Sequence, residues 1–231
     1  MALFVIADLH LSLGSSKPMD VFRGWENYVD RLTENWNAIV TEQDTVVIAG
    51  DVSWGMSLQE SKQDFAFLHS LPGQKILLKG NHDFWWQTKT KIESFFAEEG
   101  FTSLHILHNN AFLVEGKAIC GSRGWLYNAE KPEDVKIVNR EVGRLNTSLD
   151  DAAARFPEAE PVVFLHYPPV YGTMACDEIL RVLQSRNVKR CYFGHIHGNQ
   201  ASKRAIRGEW ETIKMHLISC DYVRFTPVLI R

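Results

Sequence analysis

Five short apolar runs in this 231-residue chain each lead into side chains that bind metals or move protons. Leu3–Ala7 is followed by Asp8 and His10, and Thr45–Ala49 by Gly50 and Asp51. Lys75–Leu78 precedes Gly80, Asn81, His82 and Asp83. Pro161–Leu165 runs into His166, and Arg190–Phe193 into Gly194, His195 and His197. Side chains two apart in an extended segment point the same way, so Asp8 with His10, and His195 with His197, can each chelate from one edge. Mixed imidazole and carboxylate donors suit Zn, Mn, Fe or Ni. Five of the nine histidines fall at these ends, with Asp8, Asp51 and Asn81 beside them. Capping and turning alone do not explain that concentration. The other four, His69, His105, His108 and His216, have no ligand partner at suitable spacing and read as surface or core residues.

The elements that must position these groups are legible too. Each run is four or five residues of mostly Val, Ile, Leu or Phe, cut off by a polar residue or Gly, the pattern of strands buried on both faces. Between them lie helical periodicities over Trp25–Thr41 (Tyr28, Leu32, Trp36 and Ile39 on one face), Ser57–Leu71, Thr88–Glu99, Val135–Phe156 and Cys176–Ser185. Gly100 stops the third. Ala111–Val114 and Lys117–Cys120 flank the turn Glu115-Gly116, and the tail Trp210–Leu229 alternates as strands do. With no linker, repeat or low-complexity tract, residues 1–231 are expected to form one α/β domain. In open α/β sheets, ligands collect beyond the carboxyl ends of strands, where all five polar clusters fall.

Composition narrows the class. Hydrophobic residues make up 45% and charged residues 23%, which excludes a disordered or fibrous chain. A net charge of -3 argues against an overall electrostatic grip on nucleic acid. Cys120, Cys191 and Cys220 sit among apolar neighbours, and the four cysteines, Cys176 included, lack C-x-x-C spacing, so reduced core thiols and a cytoplasmic location are expected. Residues 1–7 are too short for a signal core and have no basic flank. No apolar run approaches 18 residues, so no membrane span is expected.

In order, D-x-H, G-D, G-N-H-D, H and G-H-x-H from Asp8 to His197 resemble the motif blocks of the calcineurin-like metallophosphoesterases. The joint pattern is far more specific than any one short motif. The resemblance implies a four-layer α/β/β/α sandwich of two mixed sheets flanked by helices. It implies two divalent metal ions, one held by Asp8, His10 and His197, the other by Asn81, His166 and His195, with Asp51 bridging. Two such ions ~3.5–4 Å apart can clamp the attacking and leaving oxygens of an in-line phosphoryl displacement, with a hydroxide between them as nucleophile. In the family the His at position 82 helps protonate the leaving alkoxide, and Asp83 can orient its ring.

The expected activity is therefore a metal-dependent phosphohydrolase, preferentially a phosphodiesterase, on a small phosphate ester or nucleotide-like substrate. A phosphomonoesterase on a small metabolite, or a non-catalytic metal-binding scaffold of the same fold, stays open. The second block reads Gly50-Asp51-Val52-Ser53-Trp54-Gly55, without the acid and Arg of the protein Ser/Thr phosphatases, and Asp83 stands where those have Glu. A lipid-A-precursor hydrolase of the superfamily has Arg where this chain has His82.

Trp54, Trp85 and Trp86 follow two ligand blocks closely, Arg123-Gly124-Trp125-Leu126-Tyr127 follows a strand, and Tyr167 follows His166. Trp85, Trp86 and Tyr167 are candidates to stack on a base or aryl leaving group, with core packing as the alternative. Arg123 can take a substrate phosphate bidentately or pair with a surface acid.

Overall fold

The computed structural model describes residues 1–125 and 131–230. The chain opens with β1 (Leu3–Ile6), α1 (Tyr28–Ile39), β2 (Thr45–Ile48), α2 (Lys62–Ser70), β3 (Gln74–Leu77), α3 (Lys89–Glu99) and β4 (Leu104–Ile106). There follow β5 (Phe112–Val114), β6 (Lys117–Ser122), α4 (Pro132–Arg155), β7 (Glu160–Leu165), β8 (Val170–Tyr171), β9 (Met174–Ala175), α5 (Asp177–Ser185) and β10 (Arg190–Phe193). The last elements are α6 (Asn199–Ser202), β11 (Gly208–Trp210), β12 (Ile213–Leu217) and β13 (Val228–Ile230).

Residues alternate across each central strand, and that alternation builds the layers. In β1, Phe4 and Ile6 pack outward with Leu32 and Trp36 of α1 and with Phe65, Leu68, Ile92 and Phe96 of α2 and α3. Leu3 and Val5 point inward, where they meet Ile119, Val162, Phe164 and Tyr192 of the second sheet. On that sheet's far side, Cys120, Val163, Leu165, Cys191 and Phe193 pack under Leu145 and Leu149 of α4 and Ile179 and Leu183 of α5. The layers are therefore helix, sheet, sheet, helix.

The first sheet has the order β13-β1-β2-β3-β4, with β1 to β4 parallel and β13 antiparallel at the edge. The second has the order β11-β12-β10-β7-β6-β5, parallel in its four middle strands and antiparallel at both edges. Both sheets are mixed, and the parallel strands of each leave its site-forming carboxyl ends aligned.

Several local expectations shift. The first helix begins at Tyr28, leaving Trp25 in the irregular connection after β1, and Ile39 is exposed rather than on the buried face. The second begins at Lys62 instead of Ser57. Thr88 caps α3, accepting the amide hydrogen of Lys91, and Gly100 ends it in a left-handed conformation. All four cysteines are buried and unpaired. Among the described residues, no helix is long and apolar enough to cross a membrane.

Candidate metal centre and adjoining cleft

The site lies where β1, β2, β3, β7 and β10 run out. The chain must turn sharply there. Asp8 (φ 62°), His10 (φ 48°), Asp51 (φ 51°) and His195 (φ 70°) all adopt the left-handed region that side chains with a Cβ avoid. Each such conformation costs roughly 1–3 kcal/mol and persists only where its surroundings enforce it, which is why such residues mark functional sites. Two glycines make the close approach possible. Gly50 turns at φ 92° with His166 Nδ1 2.6 Å from where its Cβ would lie, and a Cβ on Gly80 would stand 2.0 Å from Asp51 Oδ1.

Two ligand sets converge. Asp8, His10 and His197 present donor atoms within 4.8 Å of one another, and so do Asp51, His166 and His195. Asn81 joins the second set, its Oδ1 lying 2.6 Å from His166 Nε2 and 2.8 Å from His195 Nδ1. Asp51 faces both sets, with Oδ2 3.7 Å from His10 Nε2 and 3.4 Å from His166 Nε2. Its other oxygen accepts the amide hydrogen of His82 at 2.7 Å. The Asp8 carboxylate accepts the amide hydrogen of His195 through both oxygens, tying β1 of one sheet to β10 of the other.

The donors fit divalent cations. His166 Nδ1 lies 3.1 Å from the Ala49 carbonyl while Nε2 faces Asn81 Oδ1, so either neutral tautomer brings two acceptors together in one of these contacts. Double protonation does not relieve this, since burial holds the ring down near pKa 3. A cation at Nε2 and Oδ1 removes the conflict. Burial, followed by the neighbouring imidazoles, likewise holds His195 near 3, leaving it a neutral donor. Asp8 and Asp51 are pushed up, chiefly by burial, which the attraction of His197 offsets only in part. His197 differs. Burial opposes its charge, but the carboxylates of Asp8 and Asp221 outweigh burial and push it to about 9. Its Nδ1–H donates to Asp221 at 3.0 Å, which aims Nε2 at Asp8 and His10. Asp221, in the turn after β12, carries no signal in the sequence, because it lies 24 residues from its partner and belongs to no motif.

Beside His10 and His197 opens a cleft of about 420 Å³ lined by Met19, Phe22, Trp25, Trp54, His82 and Asp221 among others. The Trp54 ring stacks on His10 at 5.0 Å and lies 4.4 Å from His82. Trp25 sets its edge against His10 and a tilted face against His197. Phe84 lies 6.0 Å from His82 and is half exposed. Lys17 extends over the Trp54 and Phe84 rings.

Two expectations are corrected. Trp85 is fully buried in the core under the first sheet, donating its indole N–H to Asp83, and is out of reach of any ligand. Trp86 is half-buried between Trp85 and His108, packed on the same core and away from the cleft. Asp83 does not orient His82. Its two oxygens accept five N–H groups, from Asp51, Val52, Ser53, Gly80 and Trp85, so it fixes the two ligand loops to each other. Tyr167 is buried with its ring 4.3 Å from His195. Arg123 lies over Trp125 at 4.4 Å and 3.7 Å from Glu141. Leu126 and Tyr127 lie outside the described residues.

The strand ends of the α/β/β/α sandwich thus bring together two candidate donor sets, the placement a metal-dependent phosphoesterase requires. Residues 1–199 match the calcineurin-like phosphoesterase family, and the chain belongs to it. No curated protein matches. Solved structures of the same fold include a phosphopantetheinyl hydrolase from Mycobacterium tuberculosis, 11% identical with a TM-score of 0.59 over 99% of this chain and 95% of that one. A protein of unknown function from Aquifex aeolicus, AQ665, is 16% identical with a TM-score of 0.51, again over 99% and 95%. TT1561 of Thermus thermophilus is 8% identical with a TM-score of 0.54 over 85% and 82%. At these identities the likeness is one of fold.

Proposed function

We propose that the protein hydrolyses a phosphoester, preferentially a diester with a planar, nucleotide-like group, and that it does so with two divalent cations. The observation that carries this reading is the pair of donor sets facing the shared Asp51 beside an aromatic cleft that contains His82. Asp8, His10 and His197 would hold one ion, and Asn81, His166 and His195 the other. Such ions, when bound, activate water and neutralise charge that develops on the phosphate oxygens.

The chain's own residues do the rest. The bond that breaks is the ester P–O bond, and the departing oxygen needs a proton. His82 supplies it: its main chain is held by Asp51, its ring is packed against Trp54, and it lines the cleft where the leaving group would sit. Trp54 and Trp25 replace Trp85 and Trp86 as the stacking surface.

The test is hydrolysis of a diester and a monoester chromogenic substrate after chelation and refilling with Mn, Zn, Fe or Ni. Chelation should abolish turnover, refilling should restore it, and the diester should be the better substrate. Full activity in excess chelator, with metal shown absent, overturns the metal assignment. A faster monoester overturns the diester preference, and inactivity of the refilled protein on both favours the scaffold reading.

A further inference from the structure

Beside the second ligand set, positive charge gathers around one buried carboxylate. Glu141 on α4 is fully buried. Its Oε1 lies 2.6 Å from Arg144 Nη1, 3.7 Å from Arg123 Nη2 and 3.8 Å from Arg140 Nε. Lys79, just ahead of Gly80 and Asn81, stands in electrostatic range of Arg123, Arg144 and Glu141. Four cations against two carboxylates, Glu141 and the Asp83 that faces Lys79, leave a surplus of two positive charges.

This group is poorly satisfied. One oxygen of Glu141 serves all three guanidinium groups, while Glu141 Oε2 and Arg123 Nε are buried without a hydrogen-bond partner among the described residues. A largely buried guanidinium with a spare donor and like-charged neighbours is costly unless an anion pairs with it. A latch that merely held α4 to the sheet would need one arginine for one glutamate.

The cluster also adjoins the metal ligands. The Arg123 carbonyl accepts the amide hydrogens of His166 at 3.1 Å and Tyr167 at 2.9 Å. From the Arg123 guanidinium, contacts run through Trp125 to Tyr167 at 5.3 Å and on to His195 at 4.3 Å. None of these four cations lines the aromatic cleft, so the cluster is a separate region from that cleft, which has Arg23 of its own.

We propose that Arg123, Arg144 and Lys79 form a subsite for a second phosphate of the substrate. The inference rests on the phosphoesterase reading, with the scissile phosphate at the ligand sets and a planar group in the Trp54 cleft. It narrows the substrate class to nucleotide-like phosphoesters that carry an additional phosphate. Guanidinium forks suit phosphate because two parallel N–H groups meet two oxygens, and Lys79 adds a point charge.

The experiment measures binding, so that it is readable whether or not the protein turns over. Manganese-loaded protein is titrated calorimetrically with thymidine 3′,5′-bisphosphate and with thymidine 5′-monophosphate. The wild type should bind the bisphosphate at least tenfold more tightly. Arg123→Met and Arg144→Met should each reduce that ratio, and together bring it close to one. If Arg123→Met fails to fold, Lys79→Met, at a half-buried position, carries the test with a smaller reduction. Equal affinities in the wild type, no binding of either probe, or a ratio that survives in the folded variants would overturn the subsite. Selective bisphosphate binding by a protein that cleaves no phosphoester would instead sink the hydrolase reading alone. Diester cleavage without that selectivity would sink the subsite alone.

Discussion

The two sheets contribute unlike chemistry to one site. The carboxyl ends of the first sheet supply every carboxylate of the ligand sets, Asp8 and Asp51, together with His10, Asn81 and His82. The second sheet supplies only imidazoles, His166, His195 and His197. Burial keeps two of those imidazoles neutral and ready to donate, whereas the carboxylates are buried at a cost that a cation offsets. Both carboxylates thus come from the first sheet, and the second adds imidazoles alone, of which His197 is held protonated by Asp8 and Asp221. The site exists only because the sandwich closes, as the bond from the His195 amide to Asp8 makes plain.

The largest effect should come from the residue that serves both sets. Asp51→Asn removes the charge facing His10 and His166, so its loss of activity should exceed the ~10²–10⁴-fold typical of a lost general acid. It should exceed the loss in His166→Ala or His195→Ala. Metal analysis alongside kinetics checks this. Two ions still bound per chain, or a greater loss in either second-sheet variant, would undo the division of labour between the sheets.

His82→Ala should keep its metal yet lose turnover by roughly 10²–10⁴-fold on esters with alkoxide leaving groups, and less on nitrophenyl esters, whose leaving group needs no proton. An equal loss on both kinds of substrate would remove the acid role.

Two tryptophans on neighbouring loops of the first sheet separate core from cleft. Trp85→Ala should lower stability by ~3–5 kcal/mol in denaturant titrations of folded protein, with KM unchanged. Trp54→Ala should raise KM for an aryl or nucleotide ester by about tenfold, in line with ~1–3 kcal/mol for a stacked base, and leave a simple alkyl ester nearly unaffected.

A pH-dependent effect lies in the strand body of the same sheet. Lys75 in β3 is buried, donates to the Leu71 carbonyl and to Ser103, and is pulled down to about 8 by burial. Its ordinary value is 10.5, so between about pH 8 and 10.5 the unfolded chain holds more protons than the folded one. Stability contributed by this group therefore rises with pH across that window, by on the order of 2–3 kcal/mol, and is lowest below it. Lys75→Met should abolish the rise in denaturant midpoints between pH 7.5 and 10. An unchanged rise in the variant would show that other groups carry it.

Much of this was legible in the sequence because the ligands follow the strands directly. Apolar runs of four or five residues fix where a parallel strand ends, and Asp8 and His10 do share one donor set; the same spacing fails for His195 and His197, which the left-handed turn at His195 sends to different sets. The cleft was less legible. Met19, Phe22 and Trp25 come from an irregular connection with no period to read, and Trp25 looked like the start of a helix. Adjacent side chains in the loop after β3 point to opposite sides, so Asp83 and Trp85 face the core while His82 and Phe84 face outward, and only the packing decides which. Asp221 needed the tail to fold back onto β10 before it could meet His197.

Everything proposed for the site depends on Asp51 being shared by two ions. Anomalous diffraction from crystals of the protein soaked in manganese reads this out without any assay. Two peaks ~3.5–4 Å apart are expected, one beside Asp8, His10 and His197 and one beside Asn81, His166 and His195, with Asp51 between them. A single peak at saturating metal, or two peaks with Asp51 bound to only one, would refute the shared carboxylate.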